Sequence, residues 1–99
     1  MAISTKLSQD GKTLTIVIDG RFDFGMQNAF RGSYEKVSAD EYVVDLHNAE
    51  YMDSSALGML LMMREHAGGS VAKITLKDCS QDIKTILSVA NFQNLFRIA

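Results

Sequence analysis

Ninety-nine residues, 46% hydrophobic and 22% charged, suit one globular domain over residues 1–99 and little more. A formal net charge of -2 argues against a nucleic-acid binder that works by blanket phosphate neutralisation. A single cysteine excludes an intramolecular disulfide, no CxxC zinc pattern is present, and no apolar run approaches the ~20 residues of a membrane span. The first twelve residues, MAISTKLSQDGK, lack an apolar h-region, so no signal peptide and a cytoplasmic location are expected, with no direct membrane insertion.

Ile3, Thr5 and Leu7 alternate with Ser4, Lys6 and Ser8, the period of a strand. Gln9-Asp10-Gly11-Lys12 reads as a turn, and alternation resumes at Leu14, Ile16 and Ile18. Residues 2–19 therefore predict a hairpin ended by Gly20, with Arg21 to Gly25 as a loop. Met26, Phe30, Tyr34 and Val37 mark one face of an amphipathic helix. Tyr42 to Leu46 predicts a central strand covered on both faces, followed by a loop from His47 to Met52. A second helix is expected from Asp53-Ser54-Ser55 through Met63, stopped at Gly68-Gly69. Ala72, Ile74 and Leu76 predict a further strand. A third helix comes next, capped by Asp78 or Ser80, with Ile83, Ile86, Leu87 and Ala90 buried and Asn91 breaking it. Leu95, Phe96 and Ile98 suggest a short edge strand. The order ββαβαβα(β) implies an α/β fold with a mixed, mostly parallel sheet of four to five strands and about three helices mainly on one face.

Chemistry is concentrated at the start of the second helix. Asp53, Ser54 and Ser55 are favoured N-cap types, so a cap alone would account for them. Ala56 to Met63 then runs for eight residues with no polar side chain, and at 100° per residue these cover nearly the whole helix. One sheet cannot cover all of it, so either a neighbouring helix buries the rest or some of it faces solvent at a partner site, with Met59 and Met62 the better candidates for exposure. Met52 and Met63 are read as core filling. A phosphate on a serine here would add about −1.5 to −2 charge. The helix N-terminus tolerates such a charge, so the fold would not suffer. A partner pressed against the same surface without a cation would lose several kcal/mol, at ~1.4 kcal/mol per tenfold in affinity.

Val43-Val44-Asp45-Leu46, the loop ending in Tyr51-Met52, and Asp53-Ser54-Ser55-Ala56-Leu57-Gly58 together resemble the STAS domain of bacterial anti-sigma factor antagonists. Asp19-Gly20-Arg21-Phe22-Asp23 is similar to that family's loop after the second strand, and Asp78 to Ile98 to its closing helix and strand. The resemblance implies a phosphorylation site at Ser54, with Asp53 beside it, Ser55 as the neighbouring hydroxyl and Asp23 approaching the same face. The motif and partner-binding residues are then Asp23, Asp53, Ser55, Ala56, Leu57 and Gly58, joined by Met59 and Met62 from the apolar run. It further implies partner switching. The unphosphorylated form binds an anti-sigma factor or serine kinase and frees a sigma factor, phosphorylation breaks that complex, and a PP2C-type phosphatase restores it. Ala56 stands where the family motif has Gly.

No G-x-S-x-G elbow, glycine-rich phosphate loop or metal-ligand spacing is present, so no enzyme, cofactor or metal is expected. His47 and His66 read as solvated, and Cys79 as a small apolar residue at a strand-to-helix junction. Two further readings stand beside the first. One is a constitutive STAS-like subunit of a transporter ATPase or signalling assembly. The other is a small-ligand or nucleotide site that uses the helix N-terminus as an anion receptor.

Overall fold

Five strands form where apolar and polar residues alternate, in the computed structural model, which describes residues 2–99. In chain order they and the helices are β1 (Ile3–Leu7), β2 (Thr13–Phe22), α1 (Gln27–Tyr34), β3 (Glu41–Met52), α2 (Ser54–Ala67), β4 (Ile74–Lys77), α3 (Gln81–Val89) and β5 (Arg97–Ile98). The sheet order is β1-β2-β3-β4-β5. β1 pairs antiparallel with β2, and every later pair is parallel. Each parallel pair is joined by a helix, as a crossover connection requires.

Register places Leu14, Tyr42 and Ile74 in one row and Ile16, Val44 and Leu76 in the next. All six are buried and belong to one core with Phe30 and Tyr34 of α1, Leu60 and Met63 of α2, and Ile83 and Leu87 of α3. The helices therefore lie on one face. On the opposite face Thr15, Val43 and Thr75 form a row and are only half-buried. β3 is not covered alike on both faces as expected: its buried apolar residues Tyr42, Val44 and Leu46 alternate, and Val43 on the other face is only half-buried.

Boundaries also differ from the sequence reading: α1 ends at Tyr34, so Val37 lies beyond it. β2 continues past Gly20 to Phe22, and residues 47–52 extend β3 instead of forming a loop. The β2–β3 register shifts between Val17 and Asp19 and again between Gly20 and Arg21. Each bulge breaks the two-residue period, and that hid the strand. Gly20 has φ +91, a conformation costly for residues with a Cβ. At the first bulge the side chain of Asp45 takes over a ladder role. Its Oδ1 accepts the His47 backbone N–H at 3.0 Å and lies 3.2 Å from His47 Nδ1. Asp45 is the one buried charged residue among the described residues.

Helix ends obey simple capping chemistry. α2 stops at Gly68, whose φ of +124 a residue with Cβ would resist. α3 is capped by Ser80, whose Oγ accepts the Ile83 N–H at 3.2 Å, so the alternative cap at Asp78 is not used. Asn91 lies just past α3 in the left-handed conformation and ends it, as expected.

Candidate functional site at the start of helix α2

β2 and β3 end side by side, with Phe22 opposite Met52. The next residue of each chain segment, Asp23 and Asp53, therefore leaves the sheet at the same end, the C-terminal end of the parallel strands. Both are extended, and each caps the helical turn that begins after it. Asp23 Oδ1 accepts the Gly25 N–H at 3.0 Å, and Asp53 Oδ1 accepts the Ala56 N–H at 3.1 Å. These caps fix the two carboxylates at adjacent strand ends. Arg21 sits opposite Tyr51, places its guanidinium 4.2 Å from that ring's centre, and holds Nε 3.4 Å from Asp23 Oδ2. An exposed pair of this kind adds little stability, but it sets a cation beside Asp23.

Ser54 is the first residue of α2 and its side chain is exposed. The free N–H groups and dipole of the first turn favour negative charge there, while Asp53 and Asp23 oppose it. Ser55 and Leu57 are half-buried, Gly58 is exposed, and Ala56 is fully buried. A phosphate on Ser54 would therefore point outward and leave the core untouched.

The two methionines expected at the partner surface separate. Met62 is 50% exposed, as expected, but Met59 is 4% exposed and belongs to the core. Met59 lies three residues from Ala56 and four from Met63, both at 0% exposure, on the stripe that faces the sheet and α1. The apolar run gives no polar residue by which to orient the helix, and that is why the sequence misplaced Met59. Met52 and Met63 are buried, in line with core filling.

Beside Ser54 lies an apolar groove of about 410 Å³ between α2 and α3. Met52, Asp53, Ser54 and Leu57 line one side, and Thr85, Ile86, Val89 and Ala90 the other. The contribution of α3 was not foreseen. Val89, 81% exposed, lies off the buried stripe Ile83–Leu87, and an apolar residue in that place was the signal that could have found it. Phe24 and Tyr51, close in sequence to the two capping acids, are exposed aromatics.

The remaining singled-out residues are structural. His66 is exposed, yet its Nε2 lies 2.9 Å from the Val37 carbonyl and its ring packs 5.1 Å from that of Tyr34, tying α2 to the segment after α1. Cys79 is buried, its thiol donates weakly to the Leu76 carbonyl at 3.5 Å, and burial pushes the thiol pKa up. Among the described residues no group of three or more His, Cys, Asp or Glu could hold a metal ion, and no helix is long and apolar enough to cross a membrane.

The family model described as Mlab, STAS domain, matches residues 5–97. The chain belongs to the STAS domain family. A STAS-domain containing protein of Pseudomonas aeruginosa is 54% identical over 101 residues, spanning 100% of each chain. Among solved structures, the unphosphorylated anti-sigma factor antagonist SpoIIAA superimposes with TM-score 0.81 at 15% identity, covering 99% of this chain and 88% of the other. A candidate anti-sigma factor antagonist of Thermotoga maritima gives TM-score 0.83 at 15% identity, over 97% and 84%. A sulfate transporter family protein of Wolinella succinogenes gives 0.73 at 14% identity, over 91% and 84%. At such identities the likeness is one of fold. This STAS domain thus shares its architecture with proteins of different roles, and its own role rests on its site.

Proposed function

We propose that this STAS domain is an anti-sigma factor antagonist that acts by partner switching at Ser54. The observation that carries the reading is an exposed serine at the first position of α2, on the rim of an apolar groove. The unphosphorylated form binds an anti-sigma factor or serine kinase through the α2–α3 groove and frees a sigma factor. A phosphate on Ser54 sets a hydrated dianion at the groove's rim. The partner must strip water from it or withdraw, and the desolvation of an unpaired charge disfavours contact. The fold is spared because the charge sits on a helix N-terminus. A PP2C-type phosphatase resets the switch. The protein acts as a binding module and performs no chemistry of its own. The family likeness to SpoIIAA, solved in unphosphorylated and phosphorylated forms, supports this reading at the level of fold.

A constitutive subunit of a transporter ATPase or signalling assembly would use the same groove without a phosphate. The fold likeness to a sulfate transporter family protein favours keeping it as the second reading. Affinity capture with Ser54→Ala and Ser54→Asp side by side separates the two. Partner switching predicts that Ser54→Ala retains an anti-sigma factor or kinase and that Ser54→Asp loses it. Equal capture of one transport ATPase by both variants would replace the first reading with the second. Intact-mass measurement of the native protein should show a phosphate that Ser54→Ala lacks.

A further inference from the structure

The sheet has two edges, and they differ. β5 offers only two residues, Arg97–Ile98. β1 offers five, Ile3–Leu7, with no proline and no bulge, and it pairs with β2 alone. Natural edge strands are commonly blunted by charge, proline or irregularity, and here Lys6 is the one charged residue.

The hydrogen-bond phase of β1 is set by its ends. Asp19 N–H donates to the Ala2 carbonyl at 2.8 Å, and Ser8 N–H donates to the Thr13 carbonyl at 2.9 Å. Residues 2, 4, 6 and 8 therefore direct their backbone groups toward β2. Ile3, Thr5 and Leu7 direct theirs outward, away from the sheet. Their side chains share the face of Ile18, Ile16 and Leu14, their register partners. Leu7 is 51% exposed and Ile3 half-buried.

We propose that β1 is a homodimerisation edge, pairing antiparallel with β1 of a second copy about a two-fold axis through Thr5. The strand is self-complementary about that point. Ile3 meets Leu7 of the second copy, Thr5 meets Thr5, and Leu7 meets Ile3, giving about six backbone hydrogen bonds from three bonded pairs. The apolar contacts fall on the helix-covered face, where Leu7 gains cover that its own chain does not supply. On the other face Lys6 meets Ser4, so no like charges stand opposite. The flank of α1 turned away from α2 carries Ala29 and Ser33, small side chains that leave the approach open. A five-residue seam buries less than the roughly 800 Å² per partner of a standard interface, so the association is concentration-dependent. Ser54 and the α2–α3 groove lie away from this edge, and both copies keep them free.

Sedimentation equilibrium of the full chain at rising concentration tests the proposal, together with Thr5→Pro and Leu7→Lys. The Thr5 N–H points outward, so proline there removes a donor from the dimer seam while sparing the β1–β2 ladder. The wild-type mass should climb toward twice the monomer value as concentration rises. Both variants should remain monomeric with an unchanged circular dichroism spectrum. A wild type that stays monomeric up to millimolar concentration would overturn the proposal, as would self-association that persists in Thr5→Pro. A folded Leu7→Lys that dimerises like wild type would overturn the assigned seam.

Discussion

Met59 and Met62 lie three residues apart on α2 and have equal chain length, and truncating each to alanine reads the orientation of the helix. Met59 is 4% exposed and Met62 50%. Buried methionine-to-alanine changes cost about 2–5 kcal/mol, the larger values where the surroundings cannot relax. Met59 borders a cleft of about 210 Å³ between α1 and α2, shared with Phe30, Tyr34 and Met62, so some settling is expected and the loss should fall near the lower end, about 2–3 kcal/mol. For Met62, half of a side-chain burial worth roughly 1.5–3 kcal/mol gives about 1 kcal/mol. Against a total stability of about 5–15 kcal/mol, both variants stay folded and measurable. With a urea slope of about 1 kcal/mol/M for a chain this short, the midpoint should fall by about 2–3 M for Met59→Ala and about 1 M for Met62→Ala. Equal losses in the two variants, or a larger loss for Met62→Ala, would refute the orientation of α2 and with it the outward direction of Ser54.

Three further outcomes rest on particular contacts. Asp45→Ala strands the His47 backbone N–H at the β3 bulge, which should cost about 1–3 kcal/mol in chemical denaturation. A loss below about 0.5 kcal/mol would mean that the bulge does not depend on this acceptor. Gly58→Ala and Gly68→Ala should have opposite signs in thermal melts. An added Cβ at Gly58 meets nothing within 4 Å and should raise stability by about 0.5–1 kcal/mol. At Gly68 it meets φ +124 and Val71 Cγ2 at 3.2 Å, and should lower stability by more than about 1 kcal/mol. Burial raises the Cys79 thiol above its usual 9.0, so the folded state favours the protonated form. That contribution is complete below the unfolded thiol's pKa and is lost as pH rises through the higher folded value. At neutral pH the thiol should react with a disulfide reagent only on unfolding, and prompt reaction of the native protein would contradict its burial.

The alternation of Ile3–Leu7, Leu14–Ile18 and Ile74–Leu76, and the four-residue spacing of Met26, Phe30 and Tyr34, carried the element order by themselves, because each pattern shows which side of its element must be hidden. The cap at Asp53 and the stop at Gly68 were equally local. They rest on backbone groups within four residues, and no distant contact is needed to decide them. The likeness of Asp53 to Gly58 to a family motif singles out Ser54 from sequence alone.

Tertiary structure decided what local pattern could not express. The extension of β3 to Met52 depends on bulges against β2, which break the period that a sequence would show. The rotation of α2 depends on α1 and the sheet, since eight apolar residues in succession offer no polar side to mark the exterior. The groove beside Ser54 needs Ile86 and Val89 from a helix about thirty residues further along the chain. A surface built from two elements exists only once packing has set them side by side. A chain this small can therefore mark the first residue of a helix in its sequence, while the surface around that residue is a product of the fold.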